Sequence, residues 1–390
     1  MDYKYEIVNN YLFIKTIGSI DSSNAGRVEE RVNQIINEFA NDNLEGLVVD
    51  AEELDYISSA GLRIVLKLMR KLKKFEIVNT SKEVYDIFDM TGFTKMISVT
   101  KAYRKINVND CPVIGEGANG IVYQYNADTI VKVYKKKDVL PIIQRERELS
   151  KKAFILGIPT AISYDVVKVG DTYGTMFELI NAKSMSVMIQ KHPENIDKYS
   201  KEYAELVKLI NSIEADVSDL NNAINTIYRW LGNTKDLFKQ SEYDKIKALV
   251  DGLKSPHTLI HGDLHTNNVM MQSGELLLID MDTLAYGNPI IELAIIDFTY
   301  NTINDVDINN SKNFLGIDPE QTRKFYECFI NNYFEGHSKE EIEFLTGKIE
   351  LLSLLRVASH MMKRGMHKNE LEQTKNRILA LSALYDDLNL

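Results

Sequence analysis

The stretch His261-Gly262-Asp263-Leu264-His265-Thr266-Asn267-Asn268 constrains the fold of this chain more than any other. Leu259-Ile260 precede it and Val269-Met270-Met271 follow, so a polar, glycine-bearing segment interrupts apolar chain. Further on, Leu276-Leu277-Leu278-Ile279-Asp280 has the character of a buried strand and ends in a carboxylate. Gln272-Ser273-Gly274 between the two apolar runs has turn chemistry, which predicts a β-hairpin. Such a hairpin presents Asp263, Asn268 and Asp280 together.

A loop carboxylate, an Asn and a second carboxylate are what Mg-nucleotide phosphoryl transfer needs. One Asp orients or deprotonates the acceptor, while Asn and Asp hold magnesium against the phosphates. His257, His261 and His265 recur every four residues, which also fits a metal-binding helix face. Gly262 and the Asn pair oppose a helix there, and no nearby Cys completes a zinc set. A surface loop between two buried strands is the plainer alternative. The string H-G-D-x-x-x-x-N followed by I-D resembles the catalytic loop and metal-binding Asp of the protein-kinase-like superfamily, in its aminoglycoside/choline phosphotransferase form. The resemblance implies Asp263 as catalytic base, Asn268 and Asp280 as Mg²⁺ ligands and His261 as a packing residue.

A length of 390 residues predicts two or three domains. Apolar content of 44% and charged content of 26% are those of a soluble globular protein with full cores. The net charge of −10 excludes a broad basic field for nucleic acid or anionic lipid. Any phosphate must then be held by local donors. Cys111 and Cys328 lie far apart and are expected to be reduced thiols in a cytoplasmic protein. The N-terminus lacks a signal-peptide core, and no apolar run is long enough to span a membrane.

Residues 5–8 and 11–16 are β-rich around Asn9-Asn10, a hairpin signal. Asp21-Ser22-Ser23 can cap a helix carrying Val28, Val32, Ile35, Ile36 and Phe39. A strand over 47–50, a helix with Leu62, Val65, Leu66, Met69 and Leu72, a strand over 75–78, a helix with Val84, Ile87 and Phe88 and a strand over 97–99 complete the series. No Pro occurs before Pro112. The order β-β-α-β-α-β-α-β and the string Asp55-Tyr56-Ile57-Ser58-Ser59-Ala60-Gly61-Leu62-Arg63 resemble STAS domains of the anti-anti-sigma factor type, over about residues 1–100. The resemblance implies a regulatory unit with a protein partner and makes Ser59 the candidate phosphorylation position. A phosphate at a helix N-terminus meets free N–H groups and the positive end of the dipole. Ser58 stands where the commoner sigma-pathway form has Asp. Ser58 capping the helix, with Ser59 merely in its first turn, is the alternative. Residues 101–108 are expected as a short ordered linker.

Gly115-Glu116-Gly117-Ala118-Asn119-Gly120-Ile121-Val122 contains G-x-G-x-x-G-x-V and runs into strand chemistry, the kinase arrangement of a glycine loop between two strands. Lys132 within Thr129-Ile130-Val131-Lys132-Val133-Tyr134 is a cation in a β-branched run and needs a partner. Residues 138–156 read as a helix ended by Gly157-Ile158-Pro159, and 166–169 and 173–179 as a hairpin. The kinase resemblance implies that Gly115, Gly117 and Gly120 fold over the ATP phosphates. It implies that Lys132 reaches the α/β-phosphates and pairs with Glu146, or else Glu148. It implies a hinge where backbone groups from Glu178 to Ile180 meet adenine, with Phe177 in the core.

The fold class expected is therefore an α/β STAS-like N-terminal domain plus an α+β bilobal protein-kinase-like domain, with an N-lobe over 109–183 and a helical C-lobe over 184–390. His261-Gly262-Asp263 lacks the Arg of phospho-activated protein kinases, and little chain separates Asp280 from Glu292. The small-molecule branch resembles this better, except that Glu292 stands where its G-x-P-x-x-D-L-A string has Asp. Asp282 is given a supporting role. Glu340, Glu341 and Glu343 read as a solvated face or an attraction for a cationic acceptor; His360, Lys363, Arg364 and His367 equally favour an anionic one. The resemblance implies ATP and Mg²⁺ as cofactors and a small-molecule hydroxyl acceptor, with no nucleic-acid partner. A nucleotide-sensing signalling module and an atypical protein kinase are the rival functions.

Overall fold

The computed structural model describes every residue except 1–2, 9, 40–43, 72–73, 118, 137–138, 181, 215, 273 and 366–367. Asn9, Leu72, Ala118, Asp138, Ser273 and His367, each named above, lie outside the described residues. The chain divides into two units, Met1–Asn107 with Val166–Asp171, and Val108–Asp165 with Thr172–Leu390.

In the first unit, strands β1 (Tyr3–Val8), β2 (Tyr11–Ile20), β3 (Gly46–Ile57), β4 (Phe75–Thr80) and β5 (Ser98–Lys101) form a sheet in that order. β1 and β2 pair antiparallel, and the remaining neighbours are parallel. Parallel neighbours need crossovers, supplied by helices α1 (Ala25–Glu38), α2 (Ser59–Lys71) and α3 (Lys82–Met90). Leu12, Ile14 and Thr16 alternate into the core from β2, while α1 buries Val28, Val32 and Ile35 along one stripe. Ser81 caps α3, its Oγ accepting from Val84 N at 3.2 Å.

Two boundaries differ from expectation. β3 runs on to Ile57 instead of stopping at Asp50, because Ala51, Leu54 and Ile57 stay buried. The acids between them disguise the strand; Glu52 and Glu53 both pair with Lys15 at 3.0 Å. The expected linker also carries a strand, β6 (Arg104–Ile106), parallel to β10 (Asp165–Val169).

The second unit opens with β7 (Val113–Glu116), β8 (Gly120–Gln124), β9 (Thr129–Tyr134) and β11 (Thr172–Glu178), antiparallel in the order β7-β8-β9-β11. Helix α4 (Leu140–Ile155) follows β9 and stops at Gly157, whose φ is 87°. Met176 is buried and Phe177 only partly so, reversing the expected core position.

Two small sheets frame the loops that matter. One has the order β12 (Lys183–Ser184), β15 (Val269–Gln272), β16 (Glu275–Leu278); the other, β13 (Asn221–Asn222), β17 (Ala285–Tyr286), β14 (Leu259–Ile260). β15 and β16 form the hairpin the sequence predicts, closing at Gln272 opposite Glu275. Around them lie α5 (Met185–Lys191), α6 (Ile196–Ser212), α7 (Ile224–Asn233), α8 (Gln240–Asp251), α9 (Pro289–Tyr300), α10 (Asn310–Leu315), α11 (Pro319–Tyr333), α12 (Lys339–Arg364) and α13 (Lys368–Leu384). α9 is buried along most of its length. Leu209 is exposed on α6. Glu340, Glu341 and Glu343 are solvated at the start of α12, where Glu341 and Ser338 form a reciprocal cap.

Candidate active site

Lys132 sits in β9 with its side chain largely buried, and Lys132 Nζ donates to Glu146 Oε1 at 2.9 Å and to Asp280 Oδ1 at 3.1 Å. Burial pulls the ammonium pKa down, but Glu146 and Asp280 outweigh it and hold the group above its ordinary value. Glu146 faces inward from α4, and its second oxygen accepts from Tyr134 OH at 2.6 Å. Glu148 is exposed. Strand, helix and hairpin thus bring together residues far apart in sequence.

Asp280 adopts a left-handed backbone, φ 66°, which costs a non-glycine residue about 1–2 kcal/mol. The strand ahead of it is pinned: Leu278 N donates to Pro159 O at 2.7 Å, and Ile279 N to Asn268 O at 3.0 Å. Asn268 is buried, and its Nδ2 donates to the Asp263 carbonyl at 3.0 Å. This orients Asn268 Oδ1 as the free oxygen donor. The Asp263 carboxylate remains accessible, 3.7 Å from His265 Nε2.

No helix forms over residues 261–268, so the histidines do not share a helix face. His261 is fully buried and Nδ1 accepts from Asp263 N at 3.3 Å; burial pushes its pKa down to about 4, so it stays neutral. His257 packs edge-on against Tyr286, and His265 against Phe314. Gly262 has φ 84°, and a Cβ there would meet Thr283 O at 2.8 Å. Two buried tyrosines hold the loop. Tyr203 OH donates to Leu264 O, and Tyr300 OH accepts from Thr266 N at 2.7 Å.

Glu292 is the member of the site whose role the sequence concealed. Fully buried on α9, its carboxylate accepts from the backbone N–H groups of both His261 and Gly262. Its extra methylene relative to Asp spans this reach. Burial pushes its pKa up to about 7, against the lowering effect of those two N–H donors. Below pH 4.5 the carboxyl is protonated folded or unfolded; between 4.5 and 7 only the unfolded chain releases its proton, so stability falls as pH rises. Glu292→Gln removes this titration. Chemical denaturation should show wild type losing roughly 3 kcal/mol relative to Glu292→Gln across that window. A pH-independent difference would contradict the assignment.

Asp282 lies beside the site, and burial first, then the Asp280 charge, raises its pKa to about 6. The glycine loop closes with Gly117 N bonded to Gly120 O at 2.9 Å. Gly120 is obligatory, since a Cβ would lie 2.6 Å from Val133 O. Gly115 and Gly117 meet no such obstacle. At the end of β11, Leu179 N donates to Asp128 O at 2.8 Å. Because bonded and non-bonded pairs alternate in an antiparallel ladder, Glu178, opposite Thr129, turns its backbone groups away from β9. Ile180 O accepts from Ala182 N at 2.8 Å.

Residues 110–308, just over half of the chain, match the family model described as "Phosphotransferase enzyme family". The chain belongs to that family. It is a kinase-like phosphotransfer enzyme, and its first unit is a STAS domain, matched over residues 3–107. The STAS unit is similar to "Putative anti-sigma factor antagonist BtrV" of Bordetella bronchiseptica, 28% identical over 89 residues, 22% of this chain and 73% of that protein. Among solved structures, the ADP-bound aminoglycoside phosphotransferase APH(2'')-Ib superposes with a TM-score of 0.46 and 16% identity, covering 80% of this phosphotransferase and 100% of that chain. A choline/ethanolamine kinase family protein from Mesorhizobium loti gives 0.44 and 13%, covering 71% and 88%. Among the described residues, no helix of this phosphotransferase is long and apolar enough to cross a membrane.

Proposed function

We propose that this phosphotransferase moves the γ-phosphoryl group of ATP to a hydroxyl of a small acceptor. The observation that carries the reading is the convergence of Lys132, Glu146 and Asp280 in one ion-pair network beside Asn268 and Asp263. Lys132 neutralises α/β-phosphate charge, and Glu146 positions it. The loop through Gly115, Gly117 and Gly120 covers the phosphates, and backbone groups from Glu178 to Ile180 receive the adenine. Asn268 Oδ1 and Asp280 supply two oxygen donors, which suits Mg²⁺, an ion commonly held by one or two protein oxygens plus phosphates and water. When bound, Mg²⁺ would neutralise charge on the phosphate oxygens.

Asp263 accepts the acceptor's hydroxyl proton or orients it. The acceptor oxygen bonds to the γ-phosphorus as the bridge to the β-phosphate breaks, and ADP leaves. A small acceptor is favoured because only residues 281–288 separate Asp280 from α9, too little for a segment on which a peptide docks. The test is ADP release across amino-sugars, amino-alcohols, sugars and sugar acids, with and without Mg²⁺. Metal-dependent release stimulated by at least one acceptor is expected. ATP binding without release in any mixture would favour a nucleotide sensor instead.

For the STAS unit, the reading is a docking module for a protein partner, with Ser59 as its phosphorylation position. Ser59 is exposed and opens α2, while the Ser58 hydroxyl is already engaged, accepting from Gly61 N at 3.4 Å. A phosphate on Ser59 would add roughly −1.5 to −2 charge to that surface. Ser59→Asp is expected to capture less of the partner than Ser59→Ala in parallel pull-downs; equal capture would argue that Ser59 is only a first-turn residue.

A further inference from the structure

One half-buried cation near Asp263 has no task in the reaction described so far. Arg356, on α12, has its guanidinium carbon 4.1 Å from the Phe298 ring centre and 5.5 Å from that of Trp230. The rings hold the planar group from α9 and α7. Arg356 Nη1 is sealed from solvent and has no hydrogen-bond partner. Among the described residues, no carboxylate lies within 4.0 Å of it, although the chain carries a net charge of −10. A guanidinium has five N–H donors and no means of shedding its charge, so leaving the Nη1 donors unmatched is costly.

A second cation lies nearby. Arg229 is near enough on α7 to disfavour the Arg356 charge, and His360, one turn along α12, stacks edge-on against the same Phe298 at 6.0 Å. Burial pulls Arg356 down to about 10, and Asp263 is the acid whose charge opposes that fall. Arg356 also acts on His265, whose ring lies beside the Asp263 carboxylate. Phe298 stands on the same helix as Tyr300, which holds Thr266 of the catalytic loop. The unmatched guanidinium thus belongs to the neighbourhood of the proposed base.

We propose that Arg356 receives an anionic group of the acceptor, so that the substrate is a small hydroxyl compound bearing a carboxylate or phosphate. This rests on the reading of Asp263 as the acceptor-side base. The planar fork matches either anion through two parallel bonds, and the aromatic frame fixes its orientation. Asp263 then faces the hydroxyl end while Arg356 holds the charged end. Cationic amino-sugars and amino-alcohols would meet repulsion instead.

The experiment pairs acceptors of similar size across charge: hydroxy acids and sugar phosphates, neutral polyols and sugars, amino-alcohols and amino-sugars. ADP release is measured for the full chain, its Arg356→Gln and its Arg356→Lys variants. Calorimetric titration of the ATP-loaded proteins with the same anions adds a binding readout. Expected is turnover confined to anions, with KM for them raised about 10–100-fold in Arg356→Gln, less in Arg356→Lys, and ATP affinity unchanged in both. Preferred turnover of neutral or cationic acceptors overturns the proposal while leaving phosphoryl transfer intact. An anion KM unaltered in a folded Arg356→Gln overturns it too, as does failure of every anion both to bind and to react. Loss of ATP binding in the wild-type protein would instead strike the underlying reading of the site.

Discussion

Asp263→Ala is expected to lower acceptor-stimulated ADP release by about 10²–10⁴-fold, the usual contribution of a positioned proton acceptor. ATP affinity should stay within about threefold of wild type, because the lost interaction is made with the reacting hydroxyl and not with the nucleotide. The geometry makes this a clean substitution. Asn268 Nδ2 bonds to the Asp263 main-chain carbonyl, which alanine retains. The loop is fixed by Glu292, Tyr203 and Tyr300, none of which touches the Asp263 carboxylate. Steady-state kinetics and calorimetry on the same preparation separate the two quantities. Unchanged turnover would remove Asp263 from the chemistry.

Lys132→Met should injure both stability and nucleotide binding. The ammonium lies between Glu146 and Asp280 at 2.9 and 3.1 Å, and Glu146 is buried. Removing one partner of a buried pair leaves the other charge uncompensated, at a cost of about 3–5 kcal/mol. Tyr134 OH, the remaining donor to Glu146, carries no charge to balance it. Loss of a charge-assisted bond to phosphate should also weaken ATP binding about 10–100-fold. A double variant, Lys132→Met with Glu146→Met, separates the effects. It should recover most of the stability seen in urea titration and none of the turnover. Wild-type ATP affinity in either variant would refute the phosphate role.

What the sequence made legible was local. The string around His261-Gly262-Asp263 carried its own turn chemistry, and the hairpin beyond it was written in alternating apolar runs and a glycine. Lys132 announced itself as a charge in a β-branched run, and apolar spacing on α4 chose Glu146 over Glu148 as its inward-facing partner. What stayed hidden depends on contacts between distant segments. Glu292 looked like a conservative departure from Asp; only the folded chain brings it beneath the His261 and Gly262 amides. Nothing local marks Tyr203 or Tyr300 as a partner of the loop, which lies some sixty and thirty-four positions away. Arg356 sits in α12 between buried positions Leu355 and Val357 with no local signal of its own, and Trp230 gave no sign that its ring would frame a cation. The parallel pairing of β6 and β10 joins residues some sixty positions apart, and neither three-residue β6 nor its partner carries a local signal for it.

The central claim is tested most directly by a crystal structure of the full chain with Mg²⁺ and a non-hydrolysable ATP analogue. A metal is expected at about 2.0–2.1 Å from oxygens of Asn268 and Asp280. Lys132 Nζ is expected within about 3 Å of an α- or β-phosphate oxygen, with the γ-phosphate turned toward Asp263. A nucleotide bound elsewhere, or a γ-phosphate pointing away from Asp263, would contradict it.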